Sequence, residues 1–497
     1  MECKVVQGEI EKLPVDTIIS SLFENVLEPS GATGSIDLSI NGFIRELISN
    51  GDITGKLGSV SVIYPRGLIP ATRVLLVGLG KREDLDLENI RIASAQAIKK
   101  AREINAKDVA TVIHGSGSGG FSHAAASQAV IEGSLLGAYR FDQLKSSEET
   151  GAEISTLTLV EFDPIKLAEV DTSVINTQKI IQGVFLTRDL VNMPPNMATP
   201  TYLAQTAQEI ANEFDMKITI GDREWAENNR MGAYLGVAKG AGEPPKFIIM
   251  EHNSSREDLD TIVLVGKGIT FDTGGISIKP SEKMEEMKTD MAGAAAVIGT
   301  MKAVGMLNLP LRIIAITPCT ENMPDAQAYR PADVITASNG KTIEIISTDA
   351  EGRLILADAL VYAKKYAPNV VIDLATLTGA CVVALGKNTA AGMFCNDDTL
   401  SDKLSQSGDN THERVWPLPL WDEYRKNIES NVADIKNSGG RNSGVSSSAI
   451  FLKEFTDYPW AHLDIAGMAL SEKDEGYTPL GGTGYGVRLL VDFLCNW

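Results

Sequence analysis

Between Thr342 and Tyr366 the chain changes its hydrophobic period across one polar turn. Thr342-Ile343-Glu344-Ile345-Ile346 is β-branched with an alternating polar residue, the pattern of a strand. Leu354, Leu356, Ala357, Leu360 and Val361 then recur at helical spacing. The turn from Ser347 to Arg353 therefore leads from a strand into a helix, and points the chain toward an α/β architecture. In open α/β sheets, ligands bind outside the carboxyl ends of the strands, where this turn lies. Arg353 in the first helical turn opposes the macrodipole. It makes better sense beside an anion held by its guanidinium and the free amides. Asp349 and Glu351 could face a cation, but Thr348-x-x-Glu351 also fits a capping box in which Glu351 only caps the helix. Both readings stay open at this point.

The rest of the chain repeats the strand–helix alternation. In the first part, strands are expected at Arg73 to Gly80, Val109 to Ile113 and Ser155 to Glu161, with helices at Leu87 to Arg102 and Ser122 to Tyr139. A helical run, Asp171 to Val191, ends at Pro194-Pro195. A further helix starts after Thr199, with Pro200 in its first turn. Strands follow at Lys246 to Glu251, Thr261 to Val265, Leu311 to Thr317, Lys341 to Ile346 and Val370 to Leu374, and a helix at Ala292 to Val304 ending near Gly305. At 497 residues the chain exceeds one ordinary core. The expected organisation is a smaller N-terminal α/β domain (1–165), a connecting helix (166–192) and a larger C-terminal domain (193–497) with a mostly parallel mixed sheet flanked by helices. The glycine run Gly115-Ser116-Gly117-Ser118-Gly119-Gly120 lacks the Gly-Lys-Ser/Thr ending of a phosphate loop and reads as a flexible turn. His114 and His123 beside it read as structural. Asn437 to Ser448 reads as a mobile surface loop.

The formal net charge of −20 disfavours nucleic acid and anionic membranes as partners, since both need a basic footprint. Five cysteines without a C-x-x-C pair form neither a disulfide framework nor a thiolate metal site. With no signal-peptide pattern and no apolar run of membrane-spanning length, the expected location is the cytoplasm.

A second stretch runs from Val265 to Lys279, Val-Gly-Lys-Gly-Ile-Thr-Phe-Asp-Thr-Gly-Gly-Ile-Ser-Ile-Lys, and starts at the end of a strand. Asp290 follows at the start of the alanine-rich helix, where its plainer reading is an N-cap. Asp272, Asp290, Asp349 and Glu351 thus fall at strand ends or helix starts of one expected sheet. Four such carboxylates in one cleft would repel one another, and two divalent cations would cancel that charge. Lys267 could join them as a ligand only as the neutral amine, with its pKa depressed by adjacent cations. Lys279 is free to stay charged. There is no H-E-x-x-H, no Cys/His cluster and no G-x-S-x-G elbow, and His462 reads as a satisfied strand residue.

Taken together, these motifs resemble the cytosolic, two-zinc leucyl aminopeptidase family. Its signature Asn-Thr-Asp-Ala-Glu-Gly-Arg-Leu appears here as Ser347 to Leu354. Gly-Lys-Gly-Ile-Thr-Phe-Asp, Ile-Ser-Ile-Lys, Met-Lys-x-Asp-Met, Glu321-Asn322-Met323-Pro324, Tyr329-Arg330-Pro331, Arg188-Asp189-Leu190-Val191-Asn192 and Trp460 to Gly467 match as well. The likeness is strong from about Thr187 onward and weak over the first 165 residues.

The resemblance implies a metal-dependent aminopeptidase acting on N-terminal, leucine-like residues of peptides. Asp272, Asp349 and Glu351 would bind one metal, and Lys267, Asp272, Asp290 and Glu351 the other. Lys279 would polarise the scissile carbonyl, and Arg353 would hold a bicarbonate acting as general base on a bridging water. The free α-amine would meet a metal and Asp290, and Met287, Thr376, Gly379 and Ala466 would line the side-chain pocket. The cofactors implied are two divalent ions, zinc or manganese first and magnesium or cobalt next. The family also implies a homohexamer. Ser347 in place of the signature asparagine is the one departure, with a changed hydrogen bond near the metals as its expected effect. A cysteinylglycine-type dipeptidase is the nearest variant. A two-metal phosphoesterase and a DNA-binding role are the rivals, and the acidity of the chain counts against both.

Overall fold

A computed structural model describes residues 1–117, 119–146, 153–440 and 442–497. Ser118 of the glycine run, 147–152 of the expected first domain, and Arg441 of the expected loop lie outside the described residues. The chain divides into two compact units, one of Met1–Ile181 with Lys473–Leu480 and one of Gln182–Glu472 with Gly481–Trp497. The division falls inside a single long helix, Leu167–Asn192. The return of Lys473–Leu480 to the first unit has no local signature. It is held there by Asp474 on Lys99 and by the Tyr477 hydroxyl donating to Glu88 at 3.0 Å.

In the first unit the Val/Ile/Leu-rich segments form a six-stranded sheet. Its order is Glu2–Gln7, Thr156–Glu161, Asp108–Val112, Thr17–Leu22, Arg73–Gly78 and Val60–Ile63, parallel except for the last strand. Two expected helices cover it, Leu87–Glu103 capped by Asp86 and His123–Ala138 capped by Ser122. The strands at Glu2–Gln7, Thr17–Leu22 and Val60–Ile63 and the short helices Gly31–Ser39 and Phe43–Ser49 were not expected.

In the second unit a nine-stranded mixed sheet runs Val415–Pro417, Ala391–Cys395, Trp460–Asp464, Val370–Ala375, Thr261–Gly266, Arg312–Asn322, Lys246–His252 and Lys217–Gly221, with Gly268–Asp272 paired to Arg312–Asn322. The four central strands are mutually parallel. Thr261–Gly266, Val370–Ala375 and Trp460–Asp464 are buried throughout, which is why they read as apolar runs rather than alternating ones. The helix Ala292–Leu307 is also buried nearly all round. Its small residues permit close approach: a Cβ on Gly299 would stand 2.1 Å from Thr187 Oγ1. Together with its preceding turn it forms a segment, Met284–Leu307, apolar and long enough for a membrane span, contrary to the sequence reading. Its most apolar window is 78% buried, so it is a core helix by this measure.

Three local expectations are corrected. The helix does not end at Gly305, which packs against Phe214; it ends at Asn308, in the left-handed conformation that asparagine tolerates. The strand before Ser347 is shorter, Thr342–Glu344, and belongs to a separate three-stranded sheet with Val334–Thr336 and Ile435–Lys436. The four carboxylates therefore do not line one sheet. Asn437 to Ser448 is a surface loop only in part of its described residues, where Gly440, Asn442 and Ser443 are exposed. Asn437 is fully buried, and the helix Gly444–Lys453 begins within the stretch.

Candidate active site

The strand Thr261–Gly266 ends one residue before the strand Gly268–Asp272 begins, and Lys267 stands at that sideways step. Its backbone is fixed on both sides, donating to Leu374 O at 3.0 Å and accepting from Ala294 N at 2.9 Å. Its Nζ donates to Asp290 Oδ1 at 2.7 Å and to Thr376 O at 3.0 Å, and lies 2.9 Å from Glu351 Oε1. The side chain is 3% exposed. It passes so close to Gly352 that a Cβ there would meet Lys267 Cε at 2.4 Å, so the glycine of the turn is a packing requirement.

Lys279 approaches the same carboxylates from a loop. Gly274 (φ 86°) and Gly275 (φ 65°) turn the chain back, and Lys279 N donates to Thr273 O at 2.9 Å. A Cβ on Gly274 would also lie 3.0 Å from Asp349 Oδ1. Lys279 Nζ is 2.8 Å from Asp272 Oδ2 and also pairs with Asp349. Asp349 is 39% exposed, whereas Asp272 is buried.

Asp272, Asp290 and Glu351 each offer a carboxylate oxygen, and these oxygens lie within 4.8 Å of one another. Neither Asp290 nor Glu351 caps a helix with its side chain. The residue at the cap of Ala292–Leu307 is Met291, with no side-chain bond, and Glu351 makes no cap bond to the helix it precedes. The capping-box alternative fails as well. Thr348 Oγ1 accepts from Ser277 N at 2.7 Å and donates to Gly274 O at 2.6 Å, tying the two loops together.

Burial raises the Asp272 carboxyl to about 6, with Glu351 adding and the two lysines opposing. Burial likewise lifts Asp290 well above the ordinary range, against Lys267. For Glu351 burial pushes up too, but Lys267 and Lys279 outweigh it and the net shift is downward. Burial alone would pull Lys267 down; Asp290, Glu351 and Asp272 outweigh it and raise it. The carboxylates alone thus keep Lys267 an ammonium, and the neutral amine of the ligand reading depends on the charge of bound cations.

This donor set fits hard divalent cations. Three buried carboxylates converge, and Asp290 Oδ2 is buried without a hydrogen-bond partner among the described residues. Asp349 stands outside that trio and joins it through Lys279. Sequence reasoning gave no role to Asn322, at the end of the strand Arg312–Asn322. It is fully buried, and its Nδ2 donates to Asp272 Oδ1 at 2.7 Å and to Thr348 O at 3.0 Å. The only sequence signal was the motif Glu321 to Pro324.

Arg353 is buried, and burial lowers its guanidinium to about 10 against the pull of Glu351, Asp464 and Asp349. Its Nη1 donates to Asn437 O at 2.7 Å, while Nε has no partner among the described residues. The Asn437 amide also clasps the turn, with Oδ1 accepting from Ile346 N at 2.8 Å and Nδ2 donating to Ser347 O at 2.7 Å. Ser347 Oγ accepts from Asp349 N at 3.2 Å. Thr376 touches the cluster directly, its hydroxyl donating to Asp290 Oδ1 at 2.7 Å. Ala466 N donates to Asp464 Oδ1 at 3.2 Å, and the Thr378 hydroxyl to Asp464 Oδ2 at 2.7 Å. Gly379 is exposed at the start of the helix Gly379–Leu385, and Met287 lies in the 3-10 turn Met284–Met291. His462 is buried with Nδ1 2.6 Å from Asp373 Oδ1, but its Nε2 has no partner among the described residues, so it is only half satisfied.

A family profile described as "Cytosol aminopeptidase family, catalytic domain" matches residues 185–491, and one described as "Cytosol aminopeptidase family, N-terminal domain" matches residues 21–148. The chain is 47% identical over 461 residues to a "Probable cytosol aminopeptidase" of Geobacter sp. (strain M21), covering 92% of each. It is 44% identical to a protein of the same description from Roseiflexus castenholzii, over 100% of this chain and 99% of the other. Among solved structures it resembles a variant of tomato leucine aminopeptidase, with a TM-score of 0.89 and 32% identity over 100% of this chain and 97% of that one. It also resembles the bottromycin maturation enzyme BotP in complex with Mn, with a TM-score of 0.85 and 32% identity over 97% of this chain and 99% of that one. With both domains matched, the chain belongs to the cytosol aminopeptidase family, and by that membership it is a metal-dependent aminopeptidase.

Proposed function

We propose that the chain removes N-terminal, leucine-like apolar residues from short peptides, using two divalent cations, zinc or manganese. The observation that carries the reading is the convergence of Asp272, Asp290 and Glu351 around two lysines of unequal exposure. Asp272, Asp349 and Glu351 would hold one cation, and Lys267, Asp272, Asp290 and Glu351 the other. When bound, the cations supply Lewis acidity and a water acidic enough to attack at neutral pH.

The chain's own residues do the rest. Asp290 receives the free α-amine, its Oδ2 being the unpartnered acceptor. Lys279, on its loop, reaches the scissile carbonyl and stabilises the oxyanion. Arg353, pinned by Asn437 and with its Nε unpartnered among the described residues, would hold a bicarbonate, which when bound would supply a general base. Met287, Thr376, Gly379 and Ala466 bound the space for the side chain, Gly379 leaving it open, since a Cβ there would meet nothing within 4 Å. We further take the working domains to be 1–165, a connecting helix over 166–192, and 193–497, with a cytoplasmic homohexamer as the assembled form. The description of the relatives as cytosol aminopeptidases supports the location.

The test is hydrolysis of a leucine anilide by zinc- or manganese-reconstituted protein, beside its N-acetylated counterpart. Turnover of the free amine alone, lost on chelation, is expected. Equal turnover of the blocked substrate would sink the reading.

A further inference from the structure

The first unit has its own cavity, of about 560 Å³, within the range of small-molecule sites. Its place follows from topology. From Thr17–Leu22 the chain builds outward to Arg73–Gly78 on one side, then crosses to Asp108–Val112 and Thr156–Glu161 on the other. The strand order reverses between Thr17–Leu22 and Asp108–Val112, and the crevice beyond their carboxyl ends is where open α/β sheets bind ligands. The cavity lies there, lined by Leu22 and Phe23 after one strand and by Ile113 to Gly117 after the other.

Two independent features point to an occupant. The first is His114, which lines the cavity and is 2% exposed. Thr111 Oγ1 lies 3.2 Å from its Nε2 and 3.2 Å from Val112 O, so the ring is held at Nε2 whichever tautomer it adopts. Nδ1 is buried without a hydrogen-bond partner among the described residues. A buried ring nitrogen left without a partner calls for a hydrogen-bonding group, and a hydroxyl serves either tautomer. Burial lowers the ring to about 4, which keeps it neutral at pH 7.

The second is the nine-residue helix Gly31–Ser39, whose first turn, Gly31-Ala32-Thr33, lines the same cavity. Ser30 makes no side-chain cap bond, and the first turn contains no acidic residue. Its leading amides have no intrahelical acceptor, which favours an anion there. Two carboxylates also line the cavity, Glu28, which pairs with Arg45 at 3.0 Å, and Glu161, whose Oε1 accepts from Asp163 N at 2.9 Å; the guanidinium of Arg82 lines it as well and brings positive charge. Phe162, 77% exposed, stands on the lining as an aromatic face without a cover.

We propose that this crevice is a second binding site, separate from the carboxylate cluster, for a nucleoside phosphate. The phosphate meets the amides of Gly31 to Thr33, a ribose hydroxyl pairs with His114 Nδ1, and the base lies against Phe162.

The test titrates full-length, EDTA-treated protein with ADP, inorganic phosphate and adenosine by calorimetry, alongside Ala32→Asp and His114→Phe. Ala32→Asp adds a carboxylate where the anion sits and an acidic residue at a helix start; because Ala32 also packs against the core, its thermal melt is recorded beside the titration. Sub-millimolar ADP binding is expected, tighter than phosphate or adenosine, and weakened roughly tenfold or more by Ala32→Asp. His114→Phe should weaken ADP and leave inorganic phosphate unchanged. Leucine-anilide hydrolysis should persist in both variants, and an unchanged circular-dichroism melt should show that the first unit is folded. No ADP binding, or binding that both variants retain, overturns the proposal. Loss of ADP binding in Asp290→Asn but not in Ala32→Asp would place the nucleotide at the carboxylate cluster and overturn it equally.

Discussion

Lys267 and Lys279 meet the same carboxylates under opposite conditions. Lys267 is 3% exposed, and its two acidic partners are nearly as buried. Lys279 is 21% exposed, and one of its partners, Asp349, is 39% exposed. Lys267 hangs from a step between two strands and is fixed by two backbone hydrogen bonds. Lys279 rides on a loop folded by two positive-φ glycines. A buried, fixed cation balances charge inside the fold. A partly exposed cation on a loop can leave its carboxylates for an incoming group. The difference separates holding the site together from acting on a substrate.

The hardest test of that separation is Lys267→Met in metal-free protein. It strands Asp290, Glu351 and Asp272 without their buried counter-charge. Breaking such a buried pair costs about 3–5 kcal/mol. Urea unfolding monitored by fluorescence should show that loss. Lys279→Ala, whose pairs are partly solvated, should cost about 1 kcal/mol or less. Equal losses in the two variants would erase the distinction.

Activity should reverse the ranking of expendability. In the metal-reconstituted enzyme, Lys279→Ala should lower kcat by about 10²–10³-fold, the usual effect of removing one oxyanion donor. Its melting temperature should move little. Lys279→Arg, which keeps the charge but not the reach, should recover part of the loss. If Lys279→Ala cuts stability and leaves kcat intact, the loop lysine is structural and the roles of the two are exchanged.

The sequence made this pair visible because glycines flank Lys267 and precede Lys279, and because acidic residues sit at turns. The central parallel strands were equally legible, since Thr261–Gly266 and Val370–Ala375 are buried on both faces and read as unbroken apolar runs. What stayed hidden were contacts made over long sequence distances by ordinary polar residues. Asn322 and Asn437 are fully buried and organise the turn around Asp349, yet an asparagine in a strand or loop carries no local sign of that. The sheet membership of Thr342–Glu344 was misread for the same reason. A three-residue strand names no partner, and Ile435–Lys436 lies far along the chain.

Acid should expose a further asymmetry. Burial first, and Glu351 second, raise Asp272 from 3.8 to about 6, while Lys279 and Lys267 pull it down. A carboxyl raised on folding adds stability that is fully present below its unfolded value and is lost as pH rises through its folded one. Metal-free protein should therefore weaken between about pH 4 and pH 6 through this group. Manganese binding needs the deprotonated form, so the melting increment it confers should grow over the same window. Removing a charge that lowers Asp272, as in Lys279→Ala, should move the midpoint upward. A midpoint that stays put would mean that Lys279 does not govern this side of the cluster.

The smallest effect concerns Ser347, which stands where the family signature has asparagine. Its Oγ accepts from Asp349 N at 3.2 Å, so it steadies the more exposed partner of Lys279. An asparagine carbonyl can make the same bond two residues along the backbone. Ser347→Asn should therefore change kcat/KM by less than about threefold and stability by no more than about 0.5 kcal/mol. Ser347→Ala lacks the acceptor and should lose about 1 kcal/mol, the net worth of one such bond. Because Asp349 N stays open to water, that variant should remain folded with a modest rise in KM and unchanged metal content. If Ser347→Ala instead sheds metal as Asp349→Asn would, the exposed half of the site depends on this hydroxyl. The contrast between a rigid Lys267 side and a yielding Lys279 side would then narrow to one hydrogen bond.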